Sequence, residues 1–183
     1  MLNGILIYFY QSNRFVGEAS LDRLACAIGG KTIFPVAINI ISQMLQNPDW
    51  KQRFAALMAI SALGEGCHKQ MLPLLDQVVN AILPYIQDAH PRVRYGVCNA
   101  FGQMATDFSP NFQNHCHDKF IPNMLMLLDD NQNPRVQAHA AAAFVNFFED
   151  ARQKVVLTYV NSIVDKFEQL LKYKMDEVKY FLF

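Results

Sequence analysis

The sequence lacks an excess of charge of either sign, a long hydrophobic run and a cysteine-rich segment. Sixteen lysines and arginines balance sixteen aspartates and glutamates among 183 residues. A surface that binds nucleic acid needs a concentrated positive field, which this balance does not predict. No apolar stretch reaches the roughly 18 to 20 residues that a membrane span requires. We therefore expect neither nucleic acid nor a membrane as a partner.

Cysteine is also scarce, and its spacing is irregular. Two of the four cysteines occupy apolar or small positions of the helical pattern described below, where a free thiol acts as a small hydrophobic side chain. This usage predicts reduced thiols in an intracellular compartment rather than a disulfide framework. The four residues are Cys26, Cys67, Cys98 and Cys116.

Two short motifs suggest chemistry, and neither is complete. His115-Cys116-His117 offers three metal ligands, but adjacent side chains on a helix point about 100° apart, and no paired Cys-x-x-Cys or His-x-x-x-His supplies further ligands. Cys67-His68 offers a nucleophile and a base, but sequence neighbours seldom reach the required geometry, and no oxyanion-hole motif accompanies them. We expect no metal at either place.

Phosphate binding and acid–base catalysis have equally little support. Gly64-Glu-Gly66 is too short for a phosphate loop and follows a predicted helix rather than a strand. The carboxylates are scattered, with no pair set against an apolar pocket. The sequence therefore predicts no enzyme and no cofactor. A repeat-shaped enzyme or metal protein is the weakest alternative.

What the sequence does contain is a repeat. Pro48, Pro91 and Pro134 are each 43 residues apart, and similar residues surround them. Apolar residues follow each proline in steps of four, with small residues between them, which is the period of an amphipathic helix. The aligned positions are Trp50, Val93 and Val136; Phe54, Val97 and Ala140; Met58, Phe101 and Phe144; and Ala62, Ala105 and Phe148.

The residues before each proline predict where these helices begin. Asn47 and Asn133 place a capping side chain next to a proline, and proline is tolerated at the first helical position. His90 is a weaker cap, although Asp88 lies close enough to assist it. Each copy therefore predicts a helix that begins at the proline.

Between the prolines lie further apolar helices, so each repeat is a pair of antiparallel helices. A period of about 40 to 47 residues built from helix pairs predicts an all-α, right-handed superhelical solenoid of the HEAT or armadillo type. We expect a non-repeat edge at 1–17, a partial repeat at 18–30, and pairs at about 31–66, 70–107 and 113–150. A first helix at 153–172 and an incomplete repeat at 173–183 complete the prediction. Pro84 and Pro122 should kink or break the helices that contain them.

Polar side chains on the second helix of each pair predict a binding surface. They occupy the face opposite the apolar stripe, and stacking would align them as a ridge on the concave side of the solenoid. A solvated face without a function is the alternative. Tyr95 and Asn99 are the strongest candidates, because tyrosine offers a large contact area and asparagine is unfavourable within a helix. The predicted ridge is Gln52, Arg53, Arg92, Tyr95, Asn99, Gln103, Arg135, His139 and Asn146.

Several strings resemble the importin-beta superfamily of HEAT-repeat proteins, and most closely its karyopherin beta three or importin five branch. The resemblance covers about residues 18–172. The strings are Asn47-Pro-Asp-Trp-Lys51, Gly64-Glu-Gly-Cys67, His90-Pro-Arg-Val-Arg-Tyr95, Gly102-Gln-Met-Ala-Thr-Asp107 and Arg135-Val-Gln-Ala-His-Ala-Ala-Ala-Ala143.

The resemblance implies a nuclear transport receptor that shuttles between cytoplasm and nucleus. Members bind protein cargo with basic import signals, and the GTPase Ran, mainly through second helices on the inner surface. They bind phenylalanine-glycine nucleoporins between outer helices, and no catalysis, small-molecule substrate or cofactor is expected. Members are several times longer, so we expect this chain to be a fragment without most of the Ran contacts. A generic HEAT scaffold, such as a phosphatase or condensin subunit, is the alternative.

Overall fold

The computed structural model describes the backbone of residues 2–182 and the side chains of residues 15–173. The described backbone contains helices and turns, with no β-strand among residues 2–182. Short 3₁₀ turns at Leu72–Leu74 and Leu83–Gln87 flank the fifth helix. The α-helices are α1 (Leu2–Ile28), α2 (Gly30–Leu45), α3 (Trp50–Leu63), α4 (His68–Met71), α5 (Leu75–Ile82), α6 (Pro91–Asp107), α7 (Asn111–Leu127), α8 (Pro134–Glu149) and α9 (Gln153–Leu182).

The helices form two layers. α6 packs most extensively against α3 on one side and α8 on the other, and α1 packs against α3. We call α1, α3, α6 and α8 the inner layer. α2, α5, α7 and α9 form the outer layer, in which neighbouring helices contact each other less. The predicted all-α array of antiparallel helix pairs is confirmed.

The register of the first repeat differs from the prediction by two residues. Helix α3 begins at Trp50 rather than at Pro48, because Asp49 is the N-cap and its carboxylate accepts a hydrogen bond from Lys51 N at 2.9 Å. The Asn47 side chain instead accepts from the backbone N–H of Asp49. The first residues of α3, α6 and α8 are therefore 41 and then 43 residues apart. In this register the buried inner-layer positions coincide: Ala56, Val97 and Ala140; Ile60, Phe101 and Phe144; Leu63, Met104 and Phe147.

Of the other two caps, His90 has the expected assistance from Asp88, whereas Asn133 does not cap its helix. His90, predicted to be the weakest cap, accepts a hydrogen bond from Arg92 N through Nδ1 at 3.2 Å, and Asp88 accepts from the His90 N–H. Asn133 precedes α8 without a side-chain capping bond, and its amide group donates to Asp130 instead.

Proline acts differently in two outer helices. The predicted helix of 70–87 is divided at Pro73 and Pro84, where 3₁₀ turns replace α-helix. By contrast, Pro122 lies inside a continuous α7, so the predicted break near this residue is wrong. Next to it, the Asn123 side chain donates to the Lys119 carbonyl oxygen at 2.6 Å, which adds a hydrogen bond to this turn.

At both ends of the array the predicted segments lie within long helices. Backbone residues of the expected non-repeat edge, 1–17, belong to α1 from Leu2 onward. The expected incomplete repeat at 173–183 continues α9 as far as Leu182. Residues 1 and 183, and the side chains of 1–14 and 174–183, lie outside the described part of the chain. No helix within that part is both long and apolar enough to span a bilayer.

An aromatic cluster fills the interior between α6, α7 and α8. Phe120 lies at its centre, fully buried, with its ring stacked on Phe147 at 4.5 Å between centroids. The rings of Phe112 and Phe144 each meet Phe120 edge to face at 5.6 Å, and Phe101 does so at 6.1 Å. These are the separations at which aromatic pairs attract one another beyond their burial.

Arginine–aspartate pairs join successive repeats. Arg53 of α3 makes a two-pronged bond to Asp88 at 2.7 and 3.0 Å, and Arg94 of α6 bonds Asp130 at 2.8 and 2.9 Å. Each arginine also donates to two backbone carbonyls just before its own helix. Burial alone would raise the pKa of Asp88, but hydrogen bonds from Arg53 and the His90 N–H outweigh it and lower that pKa. These contacts fix how one inner helix sits on the next.

Candidate functional site

A groove of about 330 Å³ opens where α1, α3 and α6 meet. Among the side chains that the structure describes, four carboxylates and no lysine or arginine line it, so we call it the acidic groove. The scattered carboxylates of the sequence predicted no paired acidic groups at an apolar pocket, and this groove corrects that interpretation. Its lining residues are Phe15, Glu18, Ala19, Asp22, Met58, Ser61, Ala62, Glu65, Asn99, Gln103 and Asp107.

Each carboxylate reaches the groove from a helix or a helix end. Glu18 and Asp22 lie one turn apart on α1, Glu65 lies in the turn after α3, and Asp107 is the last residue of α6. A Cβ added at Gly64 would collide with the Asp107 carboxylate, so glycine leaves room for this carboxylate beside the end of α3. The Gly64-Glu65 pair therefore positions two acidic groups side by side.

The carboxylates affect one another. Burial raises the pKa of Asp107, and the neighbouring Glu65 and Asp22 raise it further, against a lowering hydrogen bond from Gln103. Ligand atoms of Asp22, Glu65 and Cys26 lie within 4.8 Å of one another. Burial and the same two carboxylates raise the pKa of the Cys26 thiol, which keeps it protonated. The groove therefore offers negative charge to a cation.

Two predicted ridge residues form the α6 side of this groove. The Asn99 side chain donates to Ser61 Oγ at 2.9 Å, and the Gln103 side chain donates to Asp107 Oδ1 at 2.8 Å. These bonds orient the amide groups toward α3 and toward the carboxylates. The structure thus places Asn99 and Gln103 beside acidic residues that the sequence analysis did not select.

A repeat signal for those acidic residues is present in the sequence. Asp22, Glu65 and Asp107 are 43 and 42 residues apart, close to the period of the prolines. Aligning the ends of the second helices, as well as their starts, would have found them.

A second groove, of about 280 Å³, lies between the beginnings of α6 and α8. Three predicted ridge residues line it: Arg92, Tyr95 and Arg135. The Tyr95 ring lies 4.1 Å from the ring of His139, a fourth predicted residue. We call this the basic groove, because two arginines and no carboxylate line it among the described residues. The full lining is Phe54, Pro91, Arg92, Tyr95, Gln132, Asn133, Pro134, Arg135 and Val136.

The other predicted ridge residues have different positions. Gln52 is exposed on α3 and lines neither groove. Arg53 is held in the joint with Asp88, and the Asn146 side chain donates to the Gly102 carbonyl oxygen at 3.2 Å, joining α8 to α6. The predicted single ridge is therefore divided between two grooves, with Arg53 and Asn146 in contacts between helices.

The two incomplete motifs of the sequence, His115-Cys116-His117 and Cys67-His68, do not bring their side chains together. Cys116 is fully buried, which raises its pKa to about 11, while His115 is exposed and His117 Nδ1 lies 3.0 Å from the Tyr159 hydroxyl. Burial likewise raises the pKa of Cys67, and the His68 ring stacks against Phe108 at 5.2 Å. Neither motif assembles ligands or an activated nucleophile.

Comparison with known proteins identifies the architecture. The HEAT-like repeat family matches residues 50–104, from α3 through most of α6. Importin subunit beta-3 of Saccharomyces cerevisiae is 39% identical over 153 residues, which are 84% of this chain and 14% of that protein. Transportin-1 of Oryza sativa is 30% identical over 150 residues, or 78% of this chain and 17% of the relative.

Solved structures agree with these relatives. Kap121p bound to Pho4p superposes with a TM-score of 0.82 at 38% identity, covering 85% of this chain and 15% of that one. Kap121p bound to RanGTP superposes with a TM-score of 0.79 at the same identity, covering 81% and 15%. This chain spans only about one sixth of the length of these proteins. Its sequence and its stacked helix pairs show that it belongs to the importin-beta family of HEAT-repeat proteins.

Proposed function

We propose that this chain provides a cargo-binding surface of a nuclear import receptor, and that the acidic groove accepts the lysine or arginine side chains of a basic import signal. The observation that carries the proposal is the convergence of the Glu18, Asp22, Glu65 and Asp107 carboxylates on one groove. The related Kap121p has been solved with Pho4p and with RanGTP, which supports a transport function.

The groove suits a long cationic side chain for two reasons. A lysine ammonium or arginine guanidinium would relieve the repulsion that Glu65 and Asp22 exert on Asp107. The aliphatic stem of the same side chain would lie against apolar lining residues such as Phe15, Met58 and Ala62. Asn99 and Gln103 add hydrogen-bonding groups for the backbone of an extended peptide.

The whole receptor would do more than this surface does. We propose that it carries protein cargo, binds Ran and phenylalanine-glycine nucleoporins through its further repeats, and shuttles between cytoplasm and nucleus. In such a receptor RanGTP should compete with a peptide in the acidic groove. No reaction is assigned to the chain, which acts by reversible binding.

Fluorescence anisotropy with a labelled twelve-residue peptide containing four lysines tests the proposal. The double variant Glu65→Gln/Asp107→Asn should weaken binding about tenfold or more, since each substitution removes a charge-assisted contact. Glu149→Gln/Asp150→Asn removes the same charge outside the groove and is the matched control. Equal affinities of the native protein and the groove variant would reject the assignment of this groove.

The pH dependence gives a second readout on the same peptide. Because the pKa of Asp107 is raised, lowering the pH from 7 protonates this carboxyl before an ordinary aspartate. Affinity for the lysine peptide should therefore begin to fall at a higher pH than the titration of an ordinary aspartate would cause, and the Asp107→Asn variant should show a flatter profile.

A further inference from the structure

The inner helices carry basic residues at their beginnings in a regular pattern. Lys51, Arg92 and Arg135 are the second residues of α3, α6 and α8. They follow one another at 41 and 43 residues, the structural intervals of the repeat. We call these three residues the basic edge. Acidic residues occupy the other end of the same layer, in the acidic groove, so a net charge of zero conceals two regions of opposite sign.

This arrangement is unfavourable for the helices themselves. The amino-terminal end of a helix carries a partial positive charge, which stabilises carboxylates and destabilises lysine and arginine in the first turn. Glutamate or aspartate would therefore be the stabilising choice at all three positions. Helix stability therefore does not explain why basic residues recur at these positions. Binding of a group outside the helix does explain it.

Acidic residues in the turns beside the basic edge hold other partners. Asp88 and Asp130 are bound to Arg53 and Arg94, and the Asp49 carboxylate accepts a hydrogen bond from the backbone N–H of Lys51. Among the described residues, no carboxylate lines the basic groove, which contains Arg92 and Arg135. An anion entering the groove would therefore meet two guanidinium groups from adjacent repeats, with the ring of Tyr95 beside them.

We propose that the basic groove, flanked by Lys51, binds an acidic, extended segment of a protein partner. Glutamate or aspartate side chains would receive charge-assisted hydrogen bonds from Arg92 and Arg135. Tyr95 and buried Phe54 provide an apolar wall for the rest of the segment. A protein fits better than a nucleic acid, because three cations on a chain of zero net charge do not make an electrostatic footprint for phosphates.

The basic groove is separate from the proposed cargo site. Arg92 and Asp107 lie at opposite ends of α6, 15 residues apart in number, which corresponds to about 22 Å along the helix. An acidic segment and a basic segment can therefore be bound at the same time, by one partner or by two. Binding of an acidic segment in the basic groove does not depend on binding in the acidic groove.

The test uses a fluorescein-labelled twelve-residue peptide with six glutamates separated by serine and glycine, and the double variant Arg92→Glu/Arg135→Glu. The variant should fold at least as well as the native protein, because glutamate in the first helical turn is favourable, and thermal unfolding checks this. Affinity for the glutamate peptide should fall about tenfold or more in the variant. It should also weaken in the native protein as salt is raised.

The groove variant Glu65→Gln/Asp107→Asn is the matched control and should keep its affinity for the glutamate peptide. Saturation with the lysine peptide described above should not displace the glutamate peptide. Failure of the native protein to bind the glutamate peptide, or equal binding by the folded Arg92→Glu/Arg135→Glu variant, would overturn the proposal. Tighter binding of a ten-nucleotide oligouridine than of the glutamate peptide would overturn it in favour of a nucleic acid.

Discussion

The aromatic interior between α6, α7 and α8 and the acidic groove between α1, α3 and α6 share one helix, yet opposite interactions build them. Five phenylalanine rings fill the interior with no charged group among them. The groove gathers carboxylates that repel one another, and like charges brought together cost stability. The interior should therefore control folding, and the groove should control binding.

The largest effect should come from the centre of the interior. Phe120→Ala removes a fully buried ring that contacts four other phenylalanines, and we expect it to lower the free energy of unfolding by about 3 to 5 kcal/mol. Val145→Ala on the exposed side of α8 is the control and should cost less than about 0.5 kcal/mol. Urea unfolding measures both. A small loss in Phe120→Ala would mean that the interior does not hold the repeats together.

The next effect concerns the joint between repeats. Asp88→Ala leaves Arg53 without its carboxylate in a largely buried place, and the expected loss is about 3 kcal/mol. Asp129→Ala breaks an exposed pair with Lys166 and should cost less than about 0.5 kcal/mol. Because the folded state lowers the pKa of Asp88, its contribution is complete above about pH 4, the ordinary aspartate value, and disappears as the pH falls further. Equal losses in the two variants would contradict the structural role of the joint.

A smaller effect is expected where α1 meets the end of α3, at the side of the groove. A Cβ at Gly66 would lie 2.6 Å from the Ala25 carbonyl carbon and 2.7 Å from Cys26 N, so α1 must shift to accommodate alanine. Gly66→Ala should cost about 1 to 3 kcal/mol and should also weaken binding of the lysine peptide. Gly17→Ala, with open space around its Cβ, should instead stabilise α1 by about 0.5 to 1 kcal/mol. Thermal unfolding of the two variants would show the opposite signs.

The smallest effect on stability should be in the groove itself. Glu65→Gln removes an exposed carboxylate from an acidic neighbourhood, so the free energy of unfolding should change by less than about 0.5 kcal/mol. Binding of the lysine peptide should nevertheless decrease in the same variant. A large loss of stability in Glu65→Gln would remove the distinction between interior and groove.

The sequence predicted the helix pairs correctly, but it did not predict where helix α3 begins. Pro91 and Pro134 begin helices as predicted, because proline suits the first helical position. Pro48 does not begin a helix. Asn47 and Asp49 can both cap a helix, and contacts with other residues decide which of them does. Arg53 contributes to this choice by binding the Asn47 and Pro48 carbonyls, which then cannot belong to the helix.

The sequence also predicted two polar residues of the candidate site, but it did not predict the acidic residues beside them. Asn99 and Gln103 are predicted because they lie on the polar face of α6. The helical period of a single segment is enough to show which residues share a face. The acidic groove brings together Asp22, Glu65 and Asp107 from three repeats, and a single helical wheel contains only one of them. The packing of one helix on another, including the close backbone contact at Gly66, decides which helix ends meet.

Carbodiimide cross-linking would show which carboxylates a bound lysine touches, because it joins the lysine to the adjacent carboxylate. The lysine peptide would be treated with the native protein, and the linked residues would be identified by mass spectrometry. Links should be concentrated at Glu18, Asp22, Glu65 and Asp107, and RanGTP should reduce them in a receptor containing the further repeats. Links spread over exposed carboxylates such as Glu149 and Asp150, with few in the groove, would contradict the assignment of the acidic groove as a lysine-binding site.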